Sequence, residues 1–326
     1  MKSQRTIQKQ IIFIIFLIAL TGCGDSRPSK EVPVIGFLDF IEDPTIALAK
    51  KGFFDALSTA GYSEKDSNII VEYANAQGDI PTLIQACDLL ISKHPLLIGT
   101  NVTLSTITTV QRNKSIPVFM MVSPRPDIAK LTDQNGKAPA NLFGVYETLD
   151  YLDTAITLIK QLRPQTKIVG TIYNQSEPQS VDAFNKLKTG CEKLGMKLEI
   201  LPVNNSSETQ LVMQSLLQRN IDAFFALPDN VIFASFETVV QSCDKKNVPV
   251  FTSEAGLVSR GAVASFGADF YQWGYQSGQQ AALFLKQKNL KGISPEIVKV
   301  RKRVYNPAQA SKYMIVPDST FTPINP

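Results

Sequence analysis

Apolar and polar positions along the chain keep two rhythms. Val34, Ile35, Phe37 and Leu38 form a compact apolar run. After Pro44, the residues Ala47, Leu48, Phe53, Phe54 and Leu57 recur at helical spacing until Gly61. A short apolar run reads as a buried strand, and a 3.6-residue period reads as a helix with one buried face. The pair repeats. A strand at 68–73 precedes a helix that Asp79 can cap, carrying Leu83, Ile84, Cys87, Leu90 and Ile91. Strands at 95–100 and 116–122 flank a helix at 103–111. Residues 123–139, with Pro124, Pro126, Gly136 and Pro139, interrupt this order. It resumes with strands at 142–145, 167–173, 197–202, 221–227, 248–252 and 261–266, between helices at 151–162, 180–194, 206–217, 231–243 and 269–286. A last strand spans 297–304. Apolar strands alternating with helices predict parallel sheets covered on both faces, an α/β fold.

The interruption at 123–139 reads as a crossing segment between two Rossmann-like lobes. Lobe 1 is expected over 32–125, completed by about 268–290, and lobe 2 over 126–267, completed in part by about 296–326. Ligands of open parallel sheets sit outside the carboxyl ends of the strands. Two such sheets facing each other predict a cleft that closes on a hinge.

The first 31 residues follow another pattern. Lys2, Arg5 and Lys9 precede an uninterrupted apolar run, Ile11 to Leu20, ending in Leu20-Thr21-Gly22-Cys23. Basic, apolar and small residues in that order predict a secretory leader, and about ten apolar residues fall short of the twenty that span a bilayer. The ending resembles the lipobox of bacterial lipoproteins. That resemblance implies cleavage of residues 1–22, lipid on Cys23 and a membrane anchor. Residues 23–31 are then a polar tether to a body outside the cytoplasmic membrane.

Charge adds an exclusion. The chain carries a formal +4, and loss of the leader's three bases leaves about +1, which gives nucleic acid no reason to bind. Cys87, Cys191 and Cys243 lie in predicted helices without metal-like spacing and read as small buried residues. His94 is the one histidine of the chain. Neither a nucleophile elbow nor a glycine-rich phosphate loop follows a predicted strand, so no catalytic residue, metal or cofactor is expected.

Polar residues gather instead at strand ends. They are Asp39, Phe40 and Glu42; Thr100, Asn101 and Thr103; Ser123 and Arg125; Tyr146; Asn174, Gln179 and Ser180; Asp229 and Asn230; Ser253 and Glu254. Each alone reads as a helix cap or loop residue. Together, hydroxyls and free N–H groups at helix starts suit a carboxylate, acids suit an ammonium, and Phe40 and Tyr146 suit an aromatic ring. Trp273 reads as core or lobe-interface packing.

From Ile35 to about Tyr305 the chain resembles ABC-transporter substrate-binding proteins of the family with tryptophan- and phenylalanine-binding members. The matching stretches are Ile35-Gly36-Phe37-Leu38, Asn75-Ala76-Gln77-Gly78-Asp79, Gly144-Val145, Tyr173-Asn174, Asp229-Asn230, Ser253-Glu254, Arg260-Gly261-Ala262 and Gly267-Ala268-Asp269-Phe270-Tyr271. The resemblance implies a type I periplasmic-binding-protein fold. It also implies a monomer that delivers a small solute, an amino acid or similar, aromatic ones included, to an ABC permease and its ATPase subunits. The chain departs from the family at Pro124-Arg125-Pro126, where Thr-Asp-Pro is common, at Asp43, where histidine is usual, and at Gln179. Arg125 is thereby a candidate for a ligand carboxylate. A sensing module of the same fold, reporting to a membrane receptor, is the alternative.

Overall fold

The computed structural model describes residues 32–324; the expected leader, Cys23 and the whole tether lie outside the described residues. The chain begins β1 (Val34–Asp39), α1 (Pro44–Thr59), β2 (Ile70–Asn75), α2 (Ile80–Ser92), β3 (Leu97–Asn101), α3 (Thr103–Arg112), β4 (Val118–Pro124) and β5 (Leu142–Glu147). Asp43 and Asp79 start α1 and α2 by accepting backbone N–H groups of their first turns, and a proline follows each cap, where its missing N–H costs nothing. The strands pair in the order β2-β1-β3-β4-β5, all parallel.

The second half runs α4 (Tyr151–Leu162), β6 (Ile168–Tyr173), α5 (Pro178–Lys193), β7 (Lys197–Pro202), α6 (Thr209–Leu217), β8 (Ala223–Ala226), α7 (Asn230–Ala234), α8 (Phe236–Asp244), β9 (Val250–Thr252), α9 (Ala255–Ser259) and β10 (Ala264–Ala268). The chain then adds α10 (Phe270–Gln287), β11 (Glu296–Ile297), β12 (Arg301–Tyr305), α11 (Pro307–Lys312) and β13 (Thr322–Pro323). The second sheet has the order β13-β12-β10-β9-β8-β6-β7, with β12 antiparallel to β10.

Three readings of the sequence are corrected. Segment 123–139 does not cross between halves. It joins the adjacent parallel strands β4 and β5, and Ala129 and Leu131 bury beside Val118, Met120 and Leu142 at that edge of the sheet. Tyr146 and Glu147 therefore end a strand of the first sheet, not the second. The expected last strand is two. Glu296 and Ile297 pair with β5, whereas 301–305 pair with β10 in the other sheet. The helix expected at 231–243 breaks at Ser235, whose hydroxyl bonds the Val231 carbonyl and Thr209.

Among the described residues the chain thus passes between the sheets at 148–150, at Asp269 and at 298–300. Arg301 at the third crossing forks onto the fully buried Glu147 at the first, at 2.7 and 3.0 Å. Although it follows the second lobe in sequence, α10 lies on the first sheet. Its Trp273 indole N–H donates to the Val145 carbonyl at 2.8 Å. Cys87, Cys191 and Cys243 are buried free thiols, the small core residues expected.

Candidate functional site

The carboxyl ends of both sheets open on one cleft with two chambers. The outer one holds about 360 Å³, within the range of small-ligand sites. Phe40, Ile41, Glu42, Gln77, Gly78, Ile80 and Leu104 of the first lobe face Asn174, Ser176, Glu177, Asn204, Asn205, Ser206, Asn230, Val231 and Ala234 of the second. The inner chamber is tighter, about 30 Å³. Val102, Thr103, Val122, Ser123, Pro124, Glu147, Phe270 and Trp273 meet Tyr151, Gln179, Pro228, Asn230, Phe233 and Glu254 there, with Leu149 at the crossing. Asn230 borders both chambers.

Local backbone geometry aims these groups. Val102, Val122 and Leu149 have φ of +66°, +49° and +61°, conformations that bulky and β-branched residues rarely adopt. All three line the inner chamber. Strain of this kind persists where the surroundings fix it, commonly at binding sites. At Val122 the β4–β5 register shifts between Met120 and Ser123, a bulge that re-aims the following side chain, Ser123. At Val102 the turn starts α3 without a side-chain cap, so its first N–H groups keep their positive potential.

Five buried polar atoms at the inner chamber have no partner among the described residues: Thr103 Oγ1, Ser123 Oγ, Gln179 Oε1, Asn230 Nδ2 and Glu254 Oε2. Such atoms are costly unless something answers them. The other Glu254 oxygen accepts from the Tyr151 hydroxyl at 2.8 Å and Ser253 at 2.9 Å. Burial pushes the Glu254 carboxyl up to about 8, opposed by those two hydrogen bonds and aided by the nearby Glu147. Burial, then the Glu254 charge, raises the Tyr151 phenol well above its ordinary value.

A second acid pair lies in the second lobe, with Glu177 at the outer chamber. Asp229 caps α7 and also accepts from the Asn174 N–H at 2.7 Å and the Ser180 hydroxyl at 2.5 Å. Glu177 accepts from Gln179 Nε2 at 2.6 Å and from the Asn230 N–H at 3.0 Å. Burial, then the Asp229 charge, raises Glu177 well above the carboxylate range. Burial also raises Asp229, against the donors of Ser180, Asn174, Ile232 and Val231. The donor set is fuller at Asp229, which favours the charged form there more than at Glu177.

The structure distributes the sequence-derived candidates unevenly. Phe40, Glu42, Asn174 and Asn230 line the outer chamber, and Thr103, Ser123, Gln179, Asn230 and Glu254 the inner one. Ser180, Asp229 and Ser253 stand behind the wall and hold its members. Thr100 bonds Thr106, Asn101 bonds the Ile46 carbonyl and Asp39 pairs with Lys50 and Tyr73, all within the first lobe. Tyr146 packs on the 118–142 edge cluster. Arg125 turns outward and forks onto Asp127 at 2.6 and 2.9 Å, away from both chambers. Trp273 is packed between elements as expected, edge-on to Phe270, yet its ring also walls the inner chamber. Glu177, which also follows a predicted strand, borders the outer chamber, and the candidate set lacked Tyr151, Phe233, Phe270, Asn204 and Asn205. The last two follow β7, so the strand-end rule applied there would have found them. Phe233 and Phe270 sit inside or at the start of helices and carry no comparable signal. Among the described residues no cluster of acids, histidines or cysteines has the arrangement of a metal site.

Residues 34–321 match the family model described as ABC transporter substrate binding protein. A tyrosine-binding protein of Clostridioides difficile is 31% identical over 305 residues, 90% of this chain and 87% of that protein. An ABC domain of Streptococcus pneumoniae solved with L-Trp superposes with a TM-score of 0.81 at 26% identity, covering 88% of this chain and 97% of that one. A ligand-free, open substrate-binding protein with adhesive properties from Clostridium difficile gives 0.66 at 25% identity, covering 90% and 99%. At nearly equal identity, this chain is thus closer in shape to the L-Trp complex than to the open form. These relatives are substrate-binding proteins, not enzymes. A two-lobed α/β body with polar groups converging in its cleft, matched along nearly its whole length, belongs to the ABC transporter substrate-binding protein family.

Proposed function

We propose that this chain is the extracytoplasmic receptor of an amino-acid importer and that it takes L-tyrosine or a closely related aromatic amino acid. The observation that carries the reading is the convergence of five unanswered polar atoms from both lobes on one aromatic-walled chamber. Their chemistry divides in two. Glu254 Oε2 and Gln179 Oε1 are acceptors that suit an ammonium. Thr103, Ser123, Asn230 Nδ2 and the open first turn of α3 are donors that suit a carboxylate. An α-amino acid supplies both charges two bonds apart. Its side chain then extends into the outer chamber, between Phe40, Leu104 and Val231, where amides at Gln77, Asn204 and Asn205 can meet a phenolic hydroxyl. The tyrosine-binding and L-Trp-bound relatives support this class of ligand.

In this reading Cys23 carries lipid, the tether holds the body at the membrane, and the closed lobes present the solute to a permease. Three measurements test it. L-tyrosine at a hundred times its dissociation constant is expected to add about 2.7 kcal/mol of stability, and Glu254→Gln to weaken binding by about tenfold or more. A panel in which a sugar or nucleoside shifts the melting point and no aromatic amino acid does overturns the ligand. Cys23→Ala is expected to move the protein from the membrane fraction to the soluble one; retention at the membrane overturns the anchor.

A further inference from the structure

Arg260 ends α9 in the second lobe and lies at the seam with the first. Its Nε and Nη2 fork onto Glu237 at 2.8 and 2.9 Å, and Nη2 also bonds the Phe233 carbonyl at 2.9 Å. The guanidinium lies over the Phe236 ring at 5.4 Å. Every one of these partners belongs to the second lobe, so the arginine is held in place whatever the first lobe does. One nitrogen is left over. Nη1 crosses the seam to Asp43 Oδ2 at 2.6 Å and to Thr45 Oγ1 at 3.3 Å. The Asp43 side chain is 1% exposed and that of Arg260 12%.

Asp43 divides its oxygens in the same way. Oδ1 accepts from the N–H groups of Thr45 and Ile46 and caps α1, while Oδ2 faces the other lobe. When the lobes part, the cap and the Glu237 fork both survive, and the Arg260 Nη1 bonds to Asp43 and, more weakly, to Thr45 are lost. The whole of their free energy therefore favours closure. Beside it the lobes touch closely: a Cβ on Gly256 of α9 would collide with Thr45 Cγ2.

We infer that Asp43 and Arg260 form a latch across the cleft and are positioning residues that set ligand residence time without touching ligand. The ligand arm of this inference rests on the proposed binding function; the closure arm does not. Latch loss lowers the population of the closed state, and apparent affinity falls in proportion.

The test uses Asp43→Asn, which keeps the cap because asparagine caps as well as aspartate, with Arg260→Gln as the second variant. Stopped-flow fluorescence of Trp273, the chain's single tryptophan, follows L-tyrosine release. Both variants are expected to speed release roughly tenfold with association nearly unchanged, as for a lost close charge pair. Separately, spin labels on the Cys23→Ala chain at Leu89→Cys and Leu211→Cys, exposed sites one on each lobe, report lobe separation without ligand. Asp43→Asn is expected to shift the label distances to longer values. Unchanged distances together with unchanged release overturn the latch. If L-tyrosine fails to bind the unaltered chain, the ligand reading falls, and the label distances alone then decide the latch: a shift supports it and no shift overturns it.

Discussion

Glu254 holds its proton because burial outweighs the two hydroxyls that bond it, and its carboxyl titrates at about 8. In the unfolded chain the same group titrates at about 4.3. The folded value is the higher one, so the folded state binds the extra proton between the two. The stabilising contribution is therefore complete below the unfolded value and is lost as pH rises toward 8. Glu254→Gln is expected to flatten the part of that decline due to this residue, read by chemical denaturation at a series of pH values. An ammonium beside Oε2 reverses the preference, since it favours the carboxylate. Binding of L-tyrosine near neutral pH is then expected to release up to about one proton, and affinity to climb by as much as about tenfold per pH unit up to pH 8. Calorimetry in two buffers of different ionisation enthalpy checks this, and an identical pH profile in Glu254→Gln overturns it. The sequence marks Glu254 by its place after β9, and the same rule marks Arg125 after β4. One faces the cleft and the other solvent, because Asp127 lies two residues on and captures the guanidinium. A strand-end rule gives the neighbourhood of a side chain, not its direction.

Where α1 meets α10, backbone packs directly on backbone. A Cβ on Gly274 would fall on the Ala49 carbonyl, one on Gly52 on the Tyr271 carbonyl, and one on Gly278 on that of Phe53. Small residues three and four apart on both helices let the backbones approach, as ridge-and-groove packing requires. Backbone cannot yield as a side chain does. Gly274→Ala is expected to cost about 3 kcal/mol by overpacking, seen as a lower urea midpoint with the slope unchanged. Loss of less than about 1 kcal/mol would show the helices free to slide apart. Element existence was legible because apolar period is local: α4 and β7 fall on the predicted residues. Partnership was not. Segment 123–139 has the prolines and polarity of a linker, but Ala129 and Leu131 find an apolar edge that becomes visible only in three dimensions. The run at 297–304 reads as one strand because its residues suit a strand; its two ends join different sheets.

At the scale of the molecule, the two lobes share three short crossings and a seam, and the cleft draws on both. The inner chamber takes Thr103, Ser123 and Trp273 from one side and Gln179, Asn230 and Glu254 from the other. A solute that answers the donors of the first lobe and the acceptors of the second therefore adds free energy only to the closed arrangement, which is how binding becomes closure. Fold class was readable from the sequence for the same reason that closure was not. Alternating strands and helices imply open sheets with ligand at their carboxyl ends, but which residues oppose each other across the gap depends on crossings far apart in sequence. Amide exchange tests the coupling. Saturating L-tyrosine is expected to slow exchange at both rims, around Gln77–Gly78 and Asn204–Ser206, and at the seam near Gly256. The crossings tied by Glu147 and Arg301 should change little, because that pair is already closed by hydrogen bonds and buried on the glutamate side. Local opening that involves only the rims responds to a ligand that bridges them, whereas binding confined to one lobe would protect a single rim. Protection on one side alone would sink the two-lobed grip, even if L-tyrosine bound tightly.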